Sequence, residues 1–231
     1  MRPPDPKGDY MKMAVVGLFS LIASLFLLIA PASAQEDGWT LDGVLKVEDG
    51  RIFREQGFTL YRGTTLVGDL TACREGFCAD LWTAQTADPS MDETDITVWQ
   101  DWHLSPDVTF QANVAFFSIP DFEDVWRGRL QLSYQTSPHC VLSGNLDVMQ
   151  GGLDTTVERV QYGCTMPVSE HLGITWQAGV AHDSAFRNTS VLYHAGLSAH
   201  VGQWNGELYG EGFEGTYESD GIVGLSLARR F

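Results

Sequence analysis

The side chains able to do chemistry in this sequence are mostly carboxylates, set against few bases. Asp69, Asp80, Asp101, Asp147, Glu207 and Glu211 face only Arg127, Arg129 and Arg159, with His103, His194 and His200 among them. Gathered on one inner wall, these groups would make a polar, hydrated path whose excess of acid sets an ion preference through its field. If the arginines instead neutralise the carboxylates one by one, the same residues fill a closed interior with salt bridges. The sequence leaves both open. Nucleophilic chemistry has weaker support. His182-Asp183-Ser184 holds the residue types of a triad, but adjacent residues cannot align nucleophile, base and orienting acid, which must converge from separate elements. No Gly-x-Ser-x-Gly elbow occurs, so no catalytic residue is expected and the chain is read as a non-enzyme. The cysteines form no Cys-x-x-Cys pairs. Neither a metal nor another cofactor is expected.

The elements that must position these groups are strands. From Arg51 onward, runs of about ten residues alternate in polarity and break at turn residues. They read as 51–62, 65–73, 76–86, 93–104, 107–118, 124–136, 139–149, 156–166, 170–182, 189–201, 204–213 and 221–231. The first break is Gly63-Thr64. Twelve strands result, or ten if the segment before Leu66 is a tail. The faces separate well: Leu172, Ile174, Trp176, Ala178 and Val180 alternate with Gly173, Thr175, Gln177 and Gly179. A charge on the apolar face of such a strand would cost several kcal/mol in lipid, so the charges above belong inside a closed barrel. Aromatics near strand ends (Trp99, Trp102, Phe116, Phe117, Trp126, Tyr134, Trp204) are candidate interfacial girdles.

The two ends of the chain choose between water and lipid as the outer solvent. Residues 13–30 are almost entirely apolar, follow Lys12, and lead to Ala32-Ser33-Ala34. That is the pattern of a secretory signal peptide, residues 1–34, cut before Gln35. Met11-Lys12 is the expected start, with residues 1–10 upstream of it, and residues 35–50 are read as a periplasmic N-terminal segment. At the other end Val223, Leu225, Leu227 and Phe231 share one face. This resembles the C-terminal strand of Gram-negative outer-membrane barrels, although Arg229 stands where an aromatic or apolar residue is usual. The expected fold is therefore all-β: a transmembrane, antiparallel up-and-down barrel over 51–231, located in the outer membrane. Its expected partners are outer-membrane lipid, lipopolysaccharide, the barrel-assembly machinery and small solutes or ions. A formal net charge of −16 excludes a non-specific nucleic-acid binder, which needs a basic surface. Acidic loop residues (Asp88, Asp92, Glu93, Asp121, Glu123, Asp124, Glu214, Glu218, Asp220) are either solvated or bridge lipopolysaccharide through divalent cations.

The strand register also brings the cysteines into two pairs. Cys73 and Cys78 flank a tight hairpin, while Cys140 and Cys164 lie symmetrically about Gly152. Pairings 73–78 and 140–164 are preferred, although four cysteines allow three connectivities. At Tyr61-Arg62-Gly63-Thr64-Thr65 and Gly76-Phe77-Cys78-Ala79-Asp80-Leu81-Trp82 the chain resembles the TorF-type porin family. That family has Arg-Gly-x-Ser after its first strand and then a Gly-aromatic-x-x-Gly-x-Trp strand. The resemblance continues loosely through Glu93-Thr94-Asp95 and Phe117-Ser118-Ile119-Pro120, covering about residues 57–135. Thr65 stands for the usual Ser, Cys78 for the usual aromatic and Asp80 for the usual Gly. The resemblance implies passive transport and names no solute. A non-conducting structural or surface-interaction barrel and a lipid-modifying barrel enzyme are the alternatives.

Overall fold

Alternation along the sequence becomes the two faces of one closed sheet. The computed structural model describes residues 38–53, 56–120, 122–152 and 154–231. The expected signal peptide lies outside these residues, as does Asp121. The strands are β1 (Thr40–Phe53), β2 (Phe58–Arg74), β3 (Phe77–Thr86), β4 (Glu93–Ser105), β5 (Val108–Ser118), β6 (Val125–Ser137), β7 (Cys140–Gly151), β8 (Thr155–Pro167), β9 (Leu172–Asp183), β10 (Asn188–Val201), β11 (Trp204–Glu214) and β12 (Ser219–Arg230). Each pairs antiparallel with the next, and β12 returns to β1 from Asp42↔Arg230 to Glu48↔Gly224. Closure removes the free edges that an open sheet would expose.

Twelve strands agree with the sequence reading and exclude ten, but the first two are not those expected. Residues 40–50 belong to β1 rather than to a periplasmic segment. Leu41, Gly43, Leu45 and Val47 face one way, Asp42, Val44, Lys46 and Glu48 the other. The Gly63-Thr64 pair is no turn. It lies inside the 17-residue β2, whose pairing with β1 shifts register between Glu48 and Gly50 and again between Arg51 and Ile52. A glycine within a strand marks such an irregularity as readily as it marks a turn.

The two rims differ. Where β12 ends, the Phe231 rim, neighbouring strands join through Glu75-Gly76, Pro106-Asp107, Pro138-His139, Gly202-Gln203 and the longer 168–171. Glu75 and Gly76 have φ of 52° and 82°, the left-handed pair of a type I′ hairpin, which only a residue such as Gly adopts cheaply. The opposite, loop rim carries 54–57, 87–92, 119–124, 152–154, 184–187 and 215–218. Both expected disulfides form, Cys73–Cys78 and Cys140–Cys164, each with Cα atoms 4.1 Å apart on paired residues. Both sit near the Phe231 rim.

Outward residues are apolar and unburied: Leu130 is 51% exposed, Leu197 54% and Leu225 58%. In water such a belt would forfeit about 25 cal/mol for each Å² left uncovered, so its natural solvent is hydrocarbon. Trp102, Phe116, Trp126, Tyr134 and Trp204 point outward near strand ends, as girdle residues would. Trp99 and Phe117 do not. Their parity places them inside, opposite Cys78 and next to Val125. Arg229 fits the rim because its guanidinium lies over both Trp204 (5.1 Å) and Phe231 (4.6 Å), a polar tip on an aromatic base.

Candidate functional site: the barrel lumen

Cross-strand pairing alone determines which side chains meet inside. All of Asp69, Asp80, Asp101, Arg127, Arg129, Asp147, Arg159, His194, His200, Glu207 and Glu211 fall on the inward phase of their strands. Three groups of them meet. Arg129 grips Asp147 with Nε and Nη2 at 2.6 Å each; Asn145 donates to Asp147 at 3.0 Å and accepts from Arg159 Nε at 2.7 Å. Asp69 and Asp80 meet at Thr71, whose hydroxyl donates to Asp80 at 2.7 Å and lies 3.3 Å from Asp69. His194 stands between Glu207 and Glu211, 3.4 Å from each, with its ring stacked on Tyr209 at 5.3 Å. Tyr209 in turn donates to Glu48 at 2.5 Å. Asp101 accepts from Gln111 instead, His103 pairs with Thr109, and His200 stands apart at the Phe231 rim.

Further ion pairs join charges that the sequence reading does not assign to the lumen. Arg51 pairs with Glu93, Arg62 with Asp220, and Arg230 with Asp42 at 2.8 Å. Glu93 and Asp220 are thus not loop acids; they are buried to 2% and 9% exposure. The signal for β1 was present in the alternation of residues 41–48. Among the true loop residues, Asp92 accepts the Thr86 N–H at 2.7 Å, and burial pushes its carboxyl up from its ordinary value against that bond. Inward carboxylates outnumber fixed cations. They cluster on β1–β4 and β11–β12, while Arg127, Arg129 and Arg159 stand across from them on β6 and β8.

The lumen is a funnel. Along β8, Thr155, Val157 and Arg159 are buried, Gln161 is half-buried and Thr165 exposed; along β10, Asn188, Ser190 and Leu192 are buried, His194 half-buried and His200 exposed. It is open towards the Phe231 rim and packed towards the loop rim. The packing comes partly from the β1–β2 hairpin, whose tip reaches across the interior. Asn188 Nδ2 on β10 donates to Gln56 O at 2.6 Å, and Gln56 Nε2 donates to Met149 Sδ on β7 at 3.4 Å. Neither β7 nor β10 neighbours β1 or β2, so the tip must fold inward to touch them. Gly57 permits the approach: a Cβ there would lie 2.0 Å from Asn188 Nδ2 and 2.4 Å from Ser190 Oγ. Ile52 packs against Val157, Ala181, Leu192 and Phe213, filling the β8–β11 side. On the other side a cavity of about 320 Å³ remains between the hairpin and the β5–β7 wall, faced by Phe53, Phe58, Phe117, Phe122, Ile119 and Met149 and floored by Arg127, Arg129 and Asp147.

The remaining polar motifs supply no site. His182 points outward and contacts Thr189 at 3.0 Å, whereas Asp183 points inward and takes hydrogen bonds from Thr155 and the Ala185 and Phe186 amides. Ser184 accepts from the Thr156 amide. Neighbours on a strand diverge, as the period of two requires. Asn188, the acceptor of an Asn-x-Ser pattern, is 1% exposed. Among the described residues no three His, Cys, Asp or Glu converge as metal ligands.

No family profile matches the sequence and no curated protein matches it. Its fold is similar to solved structures. The NanC porin aligns with a TM-score of 0.58 at 10% identity, over 82% of this chain and 98% of that one. The KdgM porin solved with disordered oligogalacturonate aligns at 0.57 and 9%, over 81% and 97%. A bacterial polysaccharide outer-membrane secretin aligns at 0.50 and 8%, over 84% and 97%. At these identities the likeness is one of fold.

Proposed function

We propose that this chain is an outer-membrane channel for passive diffusion of small hydrophilic solutes or ions, mildly favouring cations. The observation that carries the reading is the acid-rich inward face inside an apolar outer belt, open to water at the Phe231 rim. A purely structural barrel has no need of a hydrated interior in which carboxylates outnumber fixed cations, and unbalanced acids attract cations. The fold shared with NanC and KdgM agrees with it. The Phe231 rim, with its tight turns, the start of β1 and the end of β12, then faces the periplasm and the loop rim faces outward. The reading includes export by the 1–34 signal peptide, insertion by the barrel-assembly machinery and contact with lipopolysaccharide. A TorF-type relationship would add passive transport to the same picture. The packed loop rim favours a second reading, a barrel that inserts without conducting. An enzyme would need converging Ser and His side chains, which His182–Ser184 does not supply.

Planar-bilayer recording of the refolded, signal-free protein with both disulfides intact tests the proposal. Reproducible unitary steps whose reversal potential shifts towards the cation equilibrium in a salt gradient are expected. A barrel that inserts and never conducts overturns the channel and leaves the second reading.

A further inference from the structure

The lumen holds one feature that a simple hydrated channel does not need, its aromatic cavity at the loop rim. Binding pockets for small molecules start at roughly 300 Å³ and combine apolar and aromatic walls with a few fixed polar groups. The cavity, at about 320 Å³, meets both conditions. An apolar cavity of about 150 Å³ accommodates benzene, so this one has room for a substituted ring. Its phenylalanines come from separate elements, Phe53 and Phe58 from the hairpin, Phe117 from β5 and Phe122 from the 119–124 loop. Phe53 and Phe58 stand 5.0 Å apart and tilted at 43°, leaving an aromatic wall facing Phe117.

Of the charges bordering the cavity, Glu123 is exposed to solvent on the 119–124 loop and the buried or half-buried ones are already engaged. Asp147 is held by Arg129, Glu93 by Arg51, and the Arg127 guanidinium lies 4.8 Å above the Phe117 ring. A ligand with net charge would lose its hydration and compete with these partners. A neutral ring would lose little and gain offset or edge contacts with the phenylalanines. We infer that the cavity between the β1–β2 hairpin and the β5–β7 wall binds small, uncharged aromatic molecules carrying a hydroxyl or similar polar substituent. In transport this rests on the channel reading and names the solutes the channel holds; binding itself does not require conduction.

The test is fluorine NMR of 4-fluorophenol with the refolded protein in detergent micelles, beside 4-fluorobenzoate and 4-fluorobenzylammonium. Saturable line broadening by 4-fluorophenol, competed by phenol and absent for the charged analogues, is expected. Ile119→Trp, which fills the cavity from the loop, should weaken it by about tenfold or more, the effect of about 1.4 kcal/mol. Phe122→Ala, also in the loop, gives an independent variant if Ile119→Trp does not fold, and should weaken it several-fold. Equal broadening with either variant, the mark of partition into detergent, overturns the proposal. Binding of either charged analogue as tight as that of 4-fluorophenol overturns it as well. Unitary conductance without phenol binding rejects the site and keeps the channel; phenol binding without conductance does the reverse.

Discussion

Replacing Asp147 by Leu should destabilise the barrel by about 3 kcal/mol, and replacing Arg129 by Leu in the same chain should recover most of the loss. Asp147 is 1% exposed and Arg129 14%, and they share two hydrogen bonds of 2.6 Å. Charges about 4 Å apart attract by about 4 kcal/mol at an effective dielectric constant of 20. Removing one member of a buried pair typically costs about 3–5 kcal/mol, because the other charge is left without compensation. Arg129 retains some contact with lumen water, which puts the expected cost at the lower end of that range. In the double variant no unpaired charge remains. What persists is the loss of the acceptor for Asn145 Nδ2, about 1 kcal/mol. The assay is reversible urea unfolding in micelles followed by tryptophan fluorescence, with the folded fraction checked by heat-modifiable gel mobility. A single variant within about 0.5 kcal/mol of the parent, or a double variant whose loss is the sum of two large single losses, would refute the view that this pair is a coupled structural unit.

The two disulfides should differ in worth. Closing sequence separations of 24 and 5, their removal costs about 3.5 and 2 kcal/mol by the chain-entropy relation, so the Cys140→Ser/Cys164→Ser variant should have the lower urea midpoint. Leu225→Arg, facing lipid, should cost about 2–4 kcal/mol, whereas Ser226→Arg, one residue on and facing the lumen, should cost clearly less; equal losses would mean the assigned register is wrong. Replacing Asp69, Asp80 and Asp101 together by Asn should move the reversal potential in a salt gradient towards zero, and an unchanged potential would remove these acids from the ion path. Gly57→Val, whose Cβ cannot coexist with Asn188 and Ser190 as placed, should raise unitary conductance by displacing the hairpin tip, and an unaltered or lower conductance would show that the tip does not limit the path.

Much of this was legible in the sequence because a barrel strand reports its own faces. Alternation placed Asp147, Arg129, His194 and Glu207 inside without any knowledge of their partners. The same register brought Cys140 opposite Cys164 and Cys73 opposite Cys78. The failures share a cause. Gly63 reads locally as a turn and the residues before Arg51 as a segment trailing the signal peptide, whereas β1 is defined by partners far along the chain, on β12. Glu93 and Asp220 resemble loop acids because they sit beside turns, but both lie within strands on the inward phase, Glu93 first in β4 and Asp220 second in β12. The hairpin tip was beyond reach. Nothing local in Gln56-Gly57 reveals contact with Met149 and Asn188, more than ninety residues away along the chain.

The tip matters because strand number alone leaves the conducting state undetermined. Twelve strands about 4.8 Å apart and tilted by about 40° enclose a cylinder about 24 Å across from backbone to backbone. Side chains lining both walls narrow that span without closing it, so an empty barrel of this size would be a wide, weakly selective hole. Here the loop-rim half of the span is occupied by Ile52, the Gln56-Gly57 tip and the side chains of Leu192 and Phe213, and what remains is the cavity faced by phenylalanines. The acids on β1–β4 and β11 can set the field through which an ion approaches from the Phe231 rim. They cannot set what crosses the loop rim, because there the wall is aromatic and its buried charges are paired. Field and sieve are therefore built at opposite ends of the same lumen. Neutralising the acids should alter charge preference while leaving aromatic binding intact, and filling the cavity at Ile119 should do the converse.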